Sequence, residues 1–195
     1  MTPELAGDAA PRRVLITGAD GFLGRGLVQA LAGAPEVGCL VATDLRPVPP
    51  ERRLPGVVYD TLDVRDPGID ALLARHGIDS VVHLASIVTP GPESSRALEY
   101  AVDVLGTRNV LRASVARGVV HLVVSSSGAA YGYHADNPPW LRESDPLRGH
   151  RAFAYADHKR QVEEMLAEWR ASVPELRQTV LRIGTILGER VDNQI

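Results

Sequence analysis

Short apolar runs alternate along the chain with stretches in which apolar residues recur at helical spacing. A continuous apolar run bounded by glycine or polar residues predicts a strand that is buried on both faces of a sheet. Runs of this kind lie at 13–18, 39–44, 57–64, 80–86, 120–127 and 178–184. The helical periodicity predicts a helix beginning at residue 22 and further helices over 69–77, 94–117 and 154–171. This alternation predicts an α/β fold in which helices cover both faces of a parallel sheet.

Composition agrees with a single globular domain. The chain has 195 residues, of which 45% are hydrophobic and 23% charged, and its formal net charge is −3. This length supports one substantial core, and the charge balance indicates neither a nucleic-acid partner nor an anionic membrane surface. No apolar run approaches the roughly 20 residues that span a bilayer. We expect a cytoplasmic protein in which residues 1–11 are a disordered lead-in and 12–195 form the domain.

Cysteine and histidine usage gives no indication of a disulfide or a metal site. The single cysteine, Cys39, lies in an apolar run and is interpreted as a buried thiol in a reducing compartment. The histidines lack metal-ligand spacing, so we predict no metal site, and we interpret His83 and His121 as core histidines. Trp140 lies in the irregular segment 132–152, which is either a solvated excursion or a functional loop. Its indole either faces a substrate or covers an edge of the core, and we favour the second interpretation.

A glycine-rich turn follows the first predicted strand. The segment TGADGFLG, residues 17–24, spaces Gly18, Gly21 and Gly24 three residues apart and opens a helix. Glycine permits a tight turn, close approach of the backbone to a pyrophosphate, and close packing of helix against strand. The helix N-terminus adds free N–H groups and the positive end of the helix dipole. On the glycines alone, an ordinary strand-to-helix turn is about equally compatible with the sequence.

An acidic residue at the end of the second strand changes that balance. Asp44 lies twenty residues after Gly24, where a carboxylate can bind both hydroxyls of an adenosine ribose. The turn and the acid together predict that 12–195 is a dinucleotide-binding domain. A carboxylate there would repel a 2′-phosphate, which favours NAD over NADP. Arg25 and Arg46 weaken that preference, because either could reach a phosphate.

The segment FAYADHK places a tyrosine, Tyr155, four residues before a lysine, Lys159, in the last predicted helix. At 3.6 residues per turn both side chains fall on the apolar stripe, which continues through Val162, Leu166 and Trp169. The opposite face carries charged residues, where a solvated Tyr–Lys pair would more naturally lie. An inward lysine needs a partner, and the ribose of a bound nucleotide would supply one.

With these motifs in this order, the chain resembles the extended short-chain dehydrogenase/reductases of the NAD-dependent epimerase/dehydratase family. The matching segments are TGADGFLG (17–24), DLRP (44–47), LDVRD (62–66), HLAS (83–86), SSSGAAYG (125–132), ESDP (143–146) and YADHK (155–159). The resemblance implies a Rossmann fold, a doubly wound parallel sheet with strand order 3-2-1-4-5-6. It also implies bound NAD, with NADP less favoured, and a homodimer through the helices 94–117 and 154–171.

The resemblance assigns roles to individual residues. Tyr155 would be the general acid/base, Lys159 would hold the nicotinamide ribose and lower the tyrosine pKa, and Ser127 would hydrogen-bond the reacting oxygen. A nearby cation does favour the phenolate form of a tyrosine, whose ordinary pKa is about 10. The implied cofactor-binding residues are Gly18, Asp20, Gly21, Phe22, Leu23, Gly24, Asp44, Leu45, Arg46, Asp63, Val64, Leu84, Ala85, Ser86, Ser125, Tyr155 and Lys159.

The chain departs from the family pattern at two places, and a third feature sets it apart from the dehydratases of the family alone. In DVLGT, Asp103 stands where the family has asparagine, so the proton relay differs, or Asp103 has another role, or it is an ordinary helix carboxylate. Gly128 and Ala129 follow Ser127, where dehydratases of the family carry an acidic pair. The family's C-terminal substrate-binding domain is expected to be missing or truncated.

The expected function is that of an NAD-dependent oxidoreductase that transfers a hydride at a hydroxyl or carbonyl carbon of a nucleotide-sugar or similar small molecule. A non-catalytic NAD(P)-binding sensor or interaction module is an alternative, and a hydroxysteroid-like or other alcohol dehydrogenase is another. Nothing in the sequence separates an epimerase from a dehydrogenase.

Overall fold

A computed structural model describes residues 10–187 and residue 191. The other residues lie outside this description, and with them most of the predicted lead-in. Six parallel strands form one sheet in the order β3-β2-β1-β4-β5-β6, which confirms the predicted Rossmann topology. The strands are β1 (Arg12–Thr17), β2 (Val37–Asp44), β3 (Val57–Thr61), β4 (Ser80–His83), β5 (His121–Ser127) and β6 (Arg177–Ile183).

Helices connect the strands and cover the sheet. They are α1 (Phe22–Leu31), α2 (Gly68–His76), α3 (Arg96–Tyr100), α4 (Thr107–Ala116) and α5 (Ala154–Ser172), with 3-10 turns at Pro50–Arg52 and Gly128–Tyr131. A π-helical segment, Ala101–Gly106, joins α3 to α4. The helix predicted over 94–117 is therefore one helical run whose middle is widened.

Two apolar layers pack on opposite faces of the sheet. Leu15 of β1 belongs to the layer under α2, α4 and α5, whereas its neighbour Ile16 belongs to the layer under α1. Both side chains are fully buried. Successive side chains of a strand point to opposite faces, so a strand buried on both faces must be apolar throughout. This explains the continuous apolar runs and confirms the prediction that helices cover both faces.

Two strands end earlier than their apolar runs, which were predicted as 57–64 and 80–86. β4 ends at His83, and Leu84 N still donates to Thr17 O at 3.1 Å before the chain leaves the sheet. β1 lies between β2 and β4, so the strand order reverses here and the connections on either side run to opposite faces. In open α/β sheets such a switch point leaves a crevice at the carboxyl ends of the strands.

The structure shows how deeply four residues with a predicted burial actually lie. His83 is 2% exposed, and its two ring nitrogens lie 2.7 Å from Thr17 Oγ1 and 3.0 Å from Thr107 Oγ1, so it is a satisfied core histidine. The same interpretation is wrong for His121, which is half-buried at the first residue of β5. Trp140 is 86% exposed and covers no core edge. Cys39 is only partly buried, because it lies near the start of β2.

Residues 10–187 and 191 contain neither a membrane-spanning helix nor a metal-binding cluster. No helix there is long and apolar enough to cross a membrane. No group of three or more His, Cys, Asp or Glu in that part of the chain could hold a metal ion.

Candidate active site

A cleft of about 1100 Å³ opens at the carboxyl ends of the strands. It brings together most of the residues that the sequence singled out: Gly18, Gly21, Phe22, Leu23, Gly24, Leu84, Ser86, Ser125, Ser127, Tyr155 and Lys159. Four segments far apart in the sequence therefore meet at one site. The predicted residues Asp20, Asp44, Leu45, Arg46, Asp63, Val64 and Ala85 do not line this cleft.

The glycine-rich turn is packed too closely for side chains. Gly18 has φ +69°, and a Cβ added to it would lie 2.7 Å from the backbone nitrogen of Ala85. A Cβ on Gly24 would lie 2.6 Å from Ala19 Cα. Gly21 is the N-cap of α1 and makes no side-chain capping bond, so the first-turn N–H groups have no side-chain acceptor from the cap. This geometry fits a pyrophosphate at the helix N-terminus.

An acidic cluster lies beside the turn. Asp44, the last residue of β2, accepts a hydrogen bond from Asp20 N at 3.0 Å. Asp20 in turn binds two arginines, since its carboxylate pairs with Arg52 at 2.8 Å and its backbone oxygen accepts from Arg25 at 2.6 Å. Arg46 is exposed, as is Leu45 at 60%. A second cavity of about 310 Å³, lined by Asp20, Arg25 and Arg52, adjoins this cluster.

The segment after β3 has other contacts. Asp63 accepts hydrogen bonds from the backbone N of Arg65 at 2.9 Å and from its guanidinium at 3.0 Å. The side-chain bond to Arg65 lowers the pKa of Asp63. Val64 is 6% exposed, and a Cβ added to Gly106 would lie 2.7 Å from its Cγ2. Val64 is therefore a core residue, and the expected contact of both residues with an adenine stays a prediction.

Ser127, Tyr155 and Lys159 meet at one end of the cleft. Ser127 ends β5, and its Oγ accepts from Ala129 N at 3.1 Å. Lys159 is 5% exposed and its Nζ lies 5.5 Å from the centre of the Tyr155 ring. The same Nζ donates to Ser125 O at 2.8 Å. The apolar stripe of α5 thus carries both side chains inward, as its periodicity indicates.

Burial dominates the electrostatics of this trio. It raises the pKa of Tyr155, which a hydrogen bond with Ser127 lowers and the nearby Asp103 carboxylate raises further. It lowers the pKa of Lys159, against which the charges of Asp103 and Glu163 act. The side chains that shift the Tyr155 pKa in this structure are Ser127, Asp103 and Tyr133, and the lowering expected from Lys159 stays a prediction. The lysine amino group is bonded to the Ser125 carbonyl.

Some cleft residues were missed by the sequence. Ile87, Val88 and Thr89 follow β4, and residues 183–186 lie at the end of β6 or follow it. The rule that the carboxyl ends of parallel strands share one edge could have found both groups. Tyr133 also lines the cleft, 68% exposed, with its ring 6.0 Å from that of Phe153. No spacing signal pointed to it, although the irregular segment 132–152 that contains it was a candidate functional loop.

The family assignment follows from the whole domain. Residues 14–195 match the family model described as the NAD dependent epimerase/dehydratase family. The chain belongs to this family. The glycine-rich turn and the Tyr155–Lys159 helix both lie inside the matched region.

Three known proteins that are similar to this chain show how much of each it covers. The N-acetyl-alpha-D-glucosaminyl-diphospho-ditrans,octacis-undecaprenol 4-epimerase of Escherichia coli O157:H7 is 35% identical over 179 residues, which are 91% of this chain and 50% of that protein. The chain thus spans about half the length of this curated relative. MoeE5, solved in complex with UDP-glucuronic acid and NAD, is 28% identical with a TM-score of 0.74, covering 87% of this chain and 54% of MoeE5.

The third comparison concerns the fold alone. A UDP-N-acetylglucosamine 4-epimerase from Methanobrevibacter ruminantium M1, solved in complex with UDP-N-acetylmuramic acid, superposes with a TM-score of 0.79 at 24% identity. The superposition covers 96% of this chain and 59% of that one. Nearly the whole of this chain therefore shares the fold of the matching part of that protein.

Proposed function

We propose that the protein is an NAD-dependent oxidoreductase of the epimerase/dehydratase type. It would transfer a hydride at a hydroxyl or carbonyl carbon of a nucleotide-sugar. The observation that carries this proposal is the shared cleft, where Ser127, Tyr155 and Lys159 face the glycine-rich turn. A nucleotide held on the turn would lie within the same cavity as a proton-transferring trio.

The residues of the turn fit a dinucleotide. Gly18 and Gly24 leave no room for a Cβ, and α1 begins at the cleft without a side-chain cap. Asp44 is positioned at the neighbouring strand end by Asp20 N and would bind the adenosine ribose. Its negative charge favours NAD over NADP. The nicotinamide, when bound, supplies the hydride chemistry.

The chain's own residues would handle the proton. Tyr155 would take a proton from the substrate hydroxyl or return one to the carbonyl, and Ser127 would donate a hydrogen bond to the same oxygen. Lys159 would hold the nicotinamide ribose, and its charge would stabilise the phenolate of Tyr155. Because burial raises the pKa of Tyr155, this stabilisation is what the tyrosine needs to work near neutral pH.

A nucleotide-sugar substrate is supported by the relatives. MoeE5 was solved with UDP-glucuronic acid, a nucleotide-sugar. The E. coli relative is named as a 4-epimerase of a sugar diphosphate carried on undecaprenol, so it supports a sugar diphosphate but not the nucleotide itself. Gly128 and Ala129 after Ser127 favour epimerase or dehydrogenase chemistry over dehydration. A homodimer through 94–117 and α5 is part of the same proposal. Binding of NAD without catalysis is the second candidate, favoured by the raised pKa of Tyr155.

Two measurements on the chain test the proposal. Calorimetric titration is expected to show NAD binding with lower affinity for NADP, and absence of binding by either would contradict the central claim. Incubation with NAD and UDP-glucose is expected to give NADH or the 4-epimer, and Tyr155→Phe is expected to abolish both products. NAD binding without turnover of this or other UDP-sugars would support the non-catalytic candidate.

A further inference from the structure

A buried acid–base pair lies behind the catalytic trio. Asp103 is in the π-helical segment and His158 is on α5, directly before Lys159. The Oδ2 of Asp103 lies 3.4 Å from Nδ1 of His158, and each side chain is 1% exposed. Asp103 is therefore not an ordinary solvated helix carboxylate, which was one of the three interpretations of its place in DVLGT.

The other carboxylate oxygen binds the wall of the cleft. Asp103 Oδ1 accepts from Ser86 Oγ and from Ile87 N, both at 2.9 Å. Ser86 and Ile87 line the cleft just after β4. The carboxylate of Asp103 thus connects the β4 side of the cleft to α5, the helix that carries Tyr155 and Lys159.

The π-helical segment explains how an aspartate reaches this position. In a π turn one extra residue is accommodated, which rotates the side chains that follow it around the helix. Asp103, Val104 and Thr107 are buried here, while Leu105 is 40% exposed. Burying a carboxylate is unfavourable unless hydrogen bonds and opposite charge compensate. The donors on Ser86, Ile87 and His158 supply the first kind of compensation.

Opposite charge is supplied by the only lysine in the chain. All other basic side chains of the 21 Lys and Arg residues are arginines. Lys159 is buried, which lowers its pKa, and the Asp103 carboxylate is the larger of two charges that act against this effect, Glu163 being the other. The remaining titratable groups around the pair are Tyr155 on α5, Tyr100, whose ring lies 5.6 Å from that of His158, and His83.

We propose that Asp103 is a positioning residue for Lys159 and Tyr155: held by His158 and by the Ser86–Ile87 wall, its buried carboxylate keeps the Lys159 amino group charged. This inference rests on the proposed roles of Tyr155 and Lys159. It assigns to the aspartate a role that an asparagine in the same place would not perform. Without that charge the buried lysine would release its proton more readily. The neutral amine would then no longer stabilise the phenolate of Tyr155.

The test reads the titration of Lys159 directly. Isotope-labelled lysine gives a single side-chain NMR signal, because the chain contains one lysine. Asp103→Asn retains an oxygen that can accept from Ser86 and Ile87 but removes the charge. We expect the Lys159 pKa in this variant to be about one unit lower than in the unmodified chain, because only the lowering by burial and the opposing charge of Glu163 remain. An unchanged Lys159 pKa in folded Asp103→Asn would overturn the proposal.

Two further variants separate charge from packing. Asp157→Asn removes an aspartate two residues from Tyr155 that pairs with Arg96 and Arg160, and is expected to shift the Lys159 pKa far less. His158→Gln breaks the pair but keeps the Asp103 charge, so the Lys159 pKa is expected to stay or rise. A fall as large as the one expected for Asp103→Asn would contradict the proposal, and this result could overturn it even if Asp103→Asn does not fold. The titration involves no turnover, so its outcome is independent of the assay for epimerase or dehydrogenase activity.

Discussion

The Nζ of Lys159 donates to the backbone oxygen of Ser125 at 2.8 Å, and this bond connects helix α5 to the strand that ends in Ser127. The amine lies within the cleft, yet only 5% of the residue is exposed. Burial lowers its pKa, so at a given pH a larger fraction is uncharged than for an ordinary lysine. The amine is therefore buried, and its pKa lies below that of an ordinary lysine.

Selective labelling of Lys159 follows from this relationship. An amine-reactive reagent such as acetic anhydride, added slowly at pH 8, has one lysine to modify besides the α-amino group. We expect NAD to slow modification of Lys159 severalfold while leaving the α-amino group unaffected, as measured by mass spectrometry of peptides. Equal rates with and without saturating NAD would place the nucleotide away from Lys159.

The glycine turn gives a prediction with a matched control inside one helix. Gly24→Ala would place a Cβ against Ala19, so we expect a loss of about 3 kcal/mol in the free energy of unfolding and loss of NAD binding. Gly26→Ala, two residues later in α1, meets nothing within 4 Å and is expected to stabilise the chain by up to about 1 kcal/mol. Urea denaturation measures the free energy of unfolding of both variants, and calorimetric titration measures their NAD binding. Similar effects of the two substitutions would show that close packing at Gly24 is unimportant.

Cofactor choice is expected to depend on Asp44. Asp44→Ala removes the carboxylate that would bind the ribose hydroxyls, so NAD affinity is expected to fall about tenfold, the loss of a charged hydrogen bond. The ratio of NADP to NAD affinity is expected to rise, because the repulsion of a 2′-phosphate disappears. Asp60→Ala is the control, since Asp60 lies in β3 and pairs with Arg75 on the surface. A ratio unchanged in Asp44→Ala would refute the assignment of NAD specificity to this residue.

Acid stability is expected to depend on His83. Burial lowers its pKa from 6.5 to about 3, with the charge of Lys159 adding to the effect. The unfolded chain therefore binds a proton below pH 6.5 that the folded chain binds only near pH 3. Stability present above pH 6.5 is thus lost progressively as the pH falls through this window.

The variant that tests this window is His83→Asn. Its free energy of unfolding is expected to be lower than that of the unmodified chain at pH 7, because hydrogen bonds to Thr17 and Thr107 are lost. Between pH 6.5 and pH 4 it should fall less steeply. His121→Gln is the control, because His121 is half-buried and is expected to keep most of the slope. Parallel curves for His83→Asn and the unmodified chain would contradict the prediction.

The homodimer expected from the family can be tested at Leu105. Its side chain is 40% exposed on the helical run between β4 and β5. Leu105→Glu is expected to shift a dimer to monomer in sedimentation velocity. Val58→Glu is matched in exposure, at 40%, but lies on β3 at the edge of the sheet and should leave the assembly unchanged. A monomeric unmodified chain would remove the basis for this part of the proposal.

The sheet and most of the cleft could be predicted because they depend on local patterns. Leu15 and Ile16 are apolar because both faces of β1 are covered, and the carboxyl ends of strands meet wherever the strands are parallel. The helical stripe on α5 likewise placed Tyr155 and Lys159 inward. The order of the strands came from the family resemblance, since periodicity alone does not define neighbours.

The surroundings of the trio could not be read in the same way. The π-helical segment has no spacing signature of its own, so the burial of Asp103 against His158 depends on packing between distant elements. The effect of burial on the Tyr155 pKa could not be predicted from the sequence either. A neighbouring lysine predicts only that its own charge would lower this pKa, and it says nothing about burial. The sequence does contain one signal for Lys159. It is the single lysine in the chain, and the other 20 of the 21 Lys and Arg residues are arginines.

Close contact between Gly18 and Ala85 has a mechanical consequence. The turn after β1 and the segment after β4 touch backbone to backbone, and neighbouring bonds join both to the sheet. Neither segment can move without the other, so this side of the cleft is expected to be rigid. Other parts of the cleft wall are built from Tyr133 and from residues 184–186, which follow the last strand. A ligand that needs more room would therefore have to gain it from other parts of the cleft wall than these two segments.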